Sequence, residues 1–158
     1  MNKFLLLGIF ILIISIVIFI WYKQRLSKDE EESNSLKYFT IEEINKYTGD
    51  SNGKNNTDIK IYLSILGWVF DVSSSTSYSP GAGYSILAGQ DVTVALGRNR
   101  LLKQDLNELK YDVLTTEQKE SAINWLQFYH SKYKLIGKLK GVNQYPLSKL
   151  EENQKKTN

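Results

Sequence analysis

The chain has 158 residues, 42% apolar and 23% charged, with a formal charge of +3. That length suits one domain with short extensions, and so small a charge, with no dense basic stripe, excludes the usual footprint of a nucleic-acid partner. The absence of cysteine excludes disulfides, thiolate metal sites and a cysteine nucleophile, and a single histidine, His130, excludes a two-histidine metal site within one chain.

In chain order, the first element is the run Phe4 to Tyr22, FLLLGIFILIISIVIFIWY, which carries no charge. As a helix it would be ~28 Å long, close to the ~30 Å hydrocarbon core of a bilayer. Trp21 and Tyr22 stand where an interfacial aromatic belt would lie, and Lys23, Arg25 and Lys28 follow. Residues 4–22 are therefore expected to be a single-pass transmembrane anchor. The competing reading is a cleaved signal peptide and a secreted chain. The run exceeds the ~7–15 residues of a signal core, however, and WYKQRLS has no small-residue cleavage pattern. Lys and Arg are more numerous after the span than before it, which leans the following domain toward the cytosol, on an endomembrane such as the endoplasmic reticulum. The sequon Asn55-Asn56-Thr57 would be used only if that domain were lumenal.

Residues 23–37 read as a polar linker and residues 146–158 as a polar tail, leaving a folded part over 38–145. Thr40 and Glu43 have capping-box spacing and open a short helix, with Phe39 placed to staple onto Ile44. Residues 47–58 read as a loop. An alternating strand follows with Ile59, Ile61, Leu63 and Ile65 on one face, then a turn at Leu66-Gly67 and a second strand over Trp68 to Val72. Ser73 to Gly83 is a polar loop, and Tyr84 to Leu96 is expected to be a helix burying Ile86, Leu87, Val94 and Ala95. Thr115 and Gln118 form a second capping box, starting a helix to about Tyr133 with Ile123, Leu126 and Tyr129 or His130 on its apolar stripe. Leu135 to Leu139 reads as a closing strand.

One segment offers a site on residue types alone. Tyr78-Ser79-Pro80-Gly81-Ala82-Gly83-Tyr84 places two tyrosines around a Pro- and Gly-rich turn whose backbone can approach a flat ligand. A structural loop with core aromatics fits the same residues. No nucleophile–base pair, phosphate loop or metal-ligand cluster is visible, so no enzymatic turnover is expected.

The segments FTIEEINKYTG, IYLSILGWVFDVSS, YSPGAGYSILAGQDVTVAL and NWLQFYHSKYKLIGKLKG, in that order, resemble the cytochrome b5-like haem/steroid-binding family, also called the membrane-associated progesterone receptor family. YLSILGWVFDVSS and NWLQFYHSKY carry a closer likeness to its neuferricin branch. The resemblance implies an α+β fold of the cytochrome b5 type, with the N-terminal transmembrane helix added to it. It also implies haem b as cofactor.

Ordinary cytochrome b5 has a His-Pro-Gly-Gly loop; here the loop is Ser79-Pro80-Gly81-Ala82-Gly83-Tyr84. The family's alternative is tyrosine ligation, which falls on Tyr84, and a ferric ion favours the phenolate of such a ligand. The iron is then implied to be five-coordinate. The supporting positions fall on Tyr78, Lys132 and Tyr133, the phenols as hydrogen-bond donors and the lysine as partner of a propionate. Tyr78 and Tyr133 also fit plain core aromatics, and Lys132 fits a solvated helix-end lysine. His130 falls where the family calls for no histidine and is expected to be structural, as are Asp71 and Asp91.

The role implied is that of a regulatory or carrier protein. Its implied partners are haem, a steroid or sterol, haem monooxygenases, and a second copy paired through exposed haem faces. The alternative is a haem-independent or secreted module of the same fold that signals through a protein partner or sterol.

Overall fold

The computed structural model describes residues 3–50 and 59–150. It divides into a unit over residues 1–36 and a unit over residues 37–158.

The first unit is one helix, α1 (Lys3–Ser35). Its sequence has no proline to break it, and the one hydroxyl in its apolar half, Ser15, bonds back to the Leu12 carbonyl at 2.8 Å. Its described side chains, Leu7 and those of residues 9–24, are exposed. Among the described residues, no helix is long and apolar enough to cross a membrane. Phe4 to Leu6 and Gly8, which belong to the expected span, lie outside the residues whose side chains are described. The stretch expected as a linker continues the helix as far as Ser35.

The second unit contains β1 (Lys37–Phe39), α2 (Ile41–Ile44), β2 (Tyr62–Ile65), β3 (Trp68–Asp71), α3 (Thr93–Gly97), α4 (Thr116–Lys132) and β4 (Lys134–Leu139), with single 3-10 turns between them. The sheet order is β1-β4-β3-β2. β1 runs parallel to β4, and the other pairs are antiparallel. This is the α+β arrangement expected.

Both helix starts are made as the spacing predicts. The Glu43 carboxylate accepts from Thr40 N–H at 2.8 Å while the Thr40 hydroxyl accepts from Glu43 N–H at 3.2 Å. Thr115 and Gln118 form the same reciprocal pair at the start of α4. Phe39 and Ile44 share a core cluster with Val69 and Leu139. The turn between β2 and β3 has φ of 46° at Leu66 and 83° at Gly67, the two positive values that a tight hairpin needs to match strand twist. Leu66 tolerates this because its N–H is held by the Thr93 hydroxyl at 2.8 Å. α4 buries Ala122, Leu126 and Tyr129, which recur at helical spacing; Ile123 is half-buried and His130 exposed. Tyr129, not His130, completes the stripe.

The helix expected over Tyr84–Leu96 does not form as one piece. A 3-10 turn covers Ser85–Leu87, the chain then extends, and α3 begins at Thr93. The intervening backbone is committed to β2. Gly89 N–H donates to the Tyr62 carbonyl at 2.7 Å, Ser64 N–H to the Gln90 carbonyl at 2.9 Å, and Val92 N–H to the Ser64 carbonyl at 2.8 Å. These bonds consume the groups a continuous helix would use internally. Gly89 has φ of 75° and a Cβ there would press on Thr48 and Asn45. The apolar residues predicted to pack still do so: Leu87, Val94 and Ala95 are buried and Ile86 is half-buried.

Regular β2 begins only at Tyr62, after an isolated bridge from Ile61 to Thr48. The sequon Asn55-Asn56-Thr57 lies outside the described residues. Of the segment expected as a polar tail, Pro146 to Leu150 form a turn with Leu150 buried.

Candidate functional site

A cavity of about 420 Å³ opens between the loop after β3 and one face of α4. α4 contributes Ser121, Asn124, Trp125, Phe128, Tyr129 and Lys132, a stripe at steps of one, three and four that runs along the helix. Tyr133 follows at its end. Leu87 and Leu96 form the apolar wall opposite, and Ser77, Tyr78 and Tyr84 come from the loop. Thus Tyr78, Tyr84, Lys132 and Tyr133, named from sequence, all line one cavity.

Tyr84 is set by the loop's own bonds. Ala82 N–H donates to the Ser79 carbonyl at 2.9 Å and Tyr84 N–H to the Ser77 carbonyl at 3.1 Å. Tyr84 is left 45% exposed where it lines the cavity. Gly83 beside it has no left-handed φ and nothing within 4 Å of where a Cβ would sit. Neither conformation nor internal packing asks for glycine there. A Cβ at Gly83 would meet only open space.

The other phenols are interior. Tyr78, Tyr129 and Tyr133 are buried, and the hydroxyls of Tyr78 and Tyr129 lie 3.0 Å apart. The Tyr78 ring is 6.1 Å from that of Tyr84 and meets Tyr133 edge-on at 6.0 Å. Burial first, then the neighbouring Tyr129 and Tyr133 phenols, push Tyr78 well above an ordinary tyrosine, and burial pushes Tyr129 up to about 12. Both are neutral at physiological pH. Lys132 is exposed, with its ammonium 5.1 Å above the Phe128 ring and 5.5 Å from Tyr133. It meets no carboxylate among the described residues, so its charge is available to an anionic group at the rim.

The donor set suits haem. An accessible phenol is a sound axial ligand for ferric iron, the walls are hydrocarbon and aromatic, and the Lys132 ammonium, with no carboxylate partner among the described residues, stands at one edge. Among the described residues there is no group of three His, Cys, Asp or Glu able to hold a bare metal ion. Tyr129, Trp125 and Phe128 were not singled out as site residues from sequence, although their spacing with Tyr133 along one helix face was available as a signal. His130 does not line the cavity.

Asp71 and Asp91 hold the frame. Asp71 accepts from Ser73 N–H at 3.0 Å and from the Ser73 hydroxyl. Asp91 is fully buried and accepts from Ser64, Thr93 and Tyr111.

No protein-family model matches the chain. Individual proteins do. Over 102 residues it is 31% identical to "Probable steroid-binding protein 3" of Arabidopsis thaliana, using 64% of this chain and 96% of that protein. A solved Arabidopsis thaliana protein, described as having a cytochrome b5 like fold, superposes with a TM-score of 0.56 at 30% identity, over 68% of this chain and 93% of that one. The chain belongs to the cytochrome b5-like haem/steroid-binding family. Within that family it is 34% identical to neuferricin of Danio rerio across 77% of this chain, but spans only 43% of that protein's length. It is 27% identical to the cytochrome P450 regulator dap1 of Schizosaccharomyces pombe, over 74% of this chain and 71% of that one. The first Arabidopsis thaliana relative is named for steroid binding and dap1 for regulation of cytochrome P450.

Proposed function

We propose that this family member is a membrane-anchored haem-binding protein in which Tyr84 is the single protein ligand of a five-coordinate iron, acting as a regulator or carrier. The observation that carries the reading is the convergence of Tyr78, Tyr84, Lys132 and Tyr133 on one apolar cavity, with Tyr84 the exposed tyrosine among them. Haem b, when bound, would supply a Lewis-acidic iron with one accessible face. Tyr84 would hold the iron, Lys132 would pair with a propionate, and Tyr78 and Tyr133 would donate hydrogen bonds from the interior. Leu87, Leu96, Trp125 and Phe128 would exclude water from the macrocycle's faces.

The anchor in this reading is α1. Its residues from Phe4 to Tyr22 carry no charge, and Ser15 aside the described side chains of that run are apolar or aromatic, which suits lipid rather than water. A steroid or sterol and haem monooxygenases are the proposed partners, on the strength of what the relatives are named for. Tyr84 and Phe128, both exposed where they line the cavity, would lie in any contact between two haem-bearing copies.

The test is the absorption spectrum of the chain reconstituted with haemin. Wild type is expected to be high-spin ferric with a phenolate-to-iron charge-transfer band, and Tyr84→Phe is expected to lose that band. An unchanged spectrum in the variant sinks the assignment of Tyr84. A chain that stays colourless when expressed with ample haem favours the alternative, a haem-free module binding a sterol or protein in the same cavity.

A further inference from the structure

Asn99 stands where the backbone asks for glycine. α3 ends in a Schellman turn, in which Arg100 N–H donates to the Ala95 carbonyl and Asn99 N–H to the Leu96 carbonyl, both at 3.0 Å. Asn99 holds the left-handed position of that turn, with φ of 51°. Glycine takes this conformation without steric cost, and asparagine is the usual substitute. What asparagine adds is a reach across to α4. Its amide oxygen accepts from the Trp125 indole N–H at 3.4 Å and lies 3.2 Å from the Ser121 hydroxyl. An indole N–H can only donate, so the sense of the first contact is fixed and the amide presents its oxygen to Trp125. Ser121 and Trp125 are one turn apart on α4, and both line the cavity, as does Leu96 at the end of α3. Trp125 is half-buried. The Phe128 ring meets it edge-on at 5.7 Å and the Tyr129 ring is tilted against it at 6.4 Å.

We infer that Asn99 is a positioning residue, which holds the Trp125 indole in one orientation as a preformed wall of the cavity for a flat polycyclic ligand. This rests on the reading of the cavity as the ligand site. A half-buried indole left free to rotate would have to be ordered when the ligand arrives, and that ordering would be subtracted from affinity. A wall held beforehand spares the cost, which for one aromatic side chain is on the order of fivefold in ligand retention. Asn99 is not among the residues lining the cavity; it acts on the ligand through Trp125.

The test uses the full chain in mild detergent, as wild type, Asn99→Gly, Asn99→Asp, Trp125→Phe and the Asn99→Gly/Trp125→Phe double variant. Glycine keeps the left-handed turn and removes the acceptor, whereas aspartate keeps an acceptor oxygen at the same place. The Trp125 indole N–H signal is read by NMR without ligand, assigned by its loss in Trp125→Phe. The rate of haemin release to an excess of haem-free globin is read on the loaded chain. Asn99→Gly is expected to move the indole signal upfield and to release haemin about fivefold faster. Asn99→Asp is expected to keep both near wild type, and Asn99→Gly is expected to add nothing to Trp125→Phe. An indole signal unchanged in Asn99→Gly overturns the inference, because Trp125 is then not held. A shifted signal with unchanged release overturns it as well, because the held wall then does nothing for the ligand. So does an equal acceleration in the Trp125→Phe background, where Asn99 would be acting by another route. A wild-type chain that takes up no haemin overturns the haem reading, and the indole signal then decides by itself whether Asn99 holds Trp125.

Discussion

Asp91 shows how one residue can carry a cost that the fold has to absorb. Its carboxylate is fully buried and joins β2 through Ser64, the start of α3 through the Thr93 N–H, and the loop before α4 through Tyr111. Those bonds favour the charged form, but burial outweighs them and lifts the group from an ordinary 3.8 to about 6. The folded-state value is above the unfolded one. Between pH ~4 and ~6 the native chain therefore holds a proton that the unfolded chain has released, and stability falls as pH rises through that window and is level above it. A shift of this size corresponds to on the order of 3 kcal/mol. Asp105 works in the opposite sense, held low first by Arg100 and also by Arg98, so it favours the fold less as pH falls. It is present in both wild type and Asp91→Asn and cancels in their difference. Denaturant titrations from pH 4 to 7 should show the stability of wild type, relative to Asp91→Asn, dropping by that order across the window. A flat difference would mean that Asp91 ionises like an exposed carboxylate.

At the scale of elements, what sequence could show depended on whether the determining contacts were local. Capping boxes are local, so Thr40 and Thr115 marked helix starts that the structure keeps. Thr115→Ala should cost about 1 kcal/mol by removing the acceptor for the Gln118 N–H, measurable as a lower denaturation midpoint with an unchanged slope. A loss below a few tenths of a kcal/mol would show that the cap contributes little beside the packing of α4. The hairpin turn was also legible, because Leu66-Gly67 sits between two apolar runs. The segment from Tyr84 to Leu96 was not. Its apolar residues have helical spacing, but Gly89, Gln90 and Val92 pair with β2, some 26 residues earlier in the chain, and long-range pairing overrides local propensity. The candidate site divides in the same way. Tyr84 and its Pro-Gly turn are contiguous and could be read directly, whereas the buried contact between the Tyr129 and Tyr78 hydroxyls appears only when α4 is laid against the loop that carries Tyr78.

For the whole molecule, the decisive test is where the chain resides. The uncharged residues of α1 would cost several kcal/mol to leave in water, at ~0.8 kcal/mol for each buried CH2 group, so a bilayer is the favourable environment if the segment is retained. The steroid-binding relative aligns over 96% of its own length to 64% of this chain, so the chain from Lys37 onward is the natural comparison for the full chain. The full chain should remain in the membrane pellet through an alkaline carbonate wash while the Lys37-onward chain stays in the supernatant. Release of the full chain by the wash would overturn the anchor. Sidedness follows from the same preparation. With Lys23, Arg25 and Lys28 beyond the span and only Lys3 before it, the domain that follows should face the cytosol and be cut by protease added to sealed vesicles. Protection from protease together with a glycosidase-sensitive shift abolished by Asn55→Gln would place the domain in the lumen and reverse the orientation.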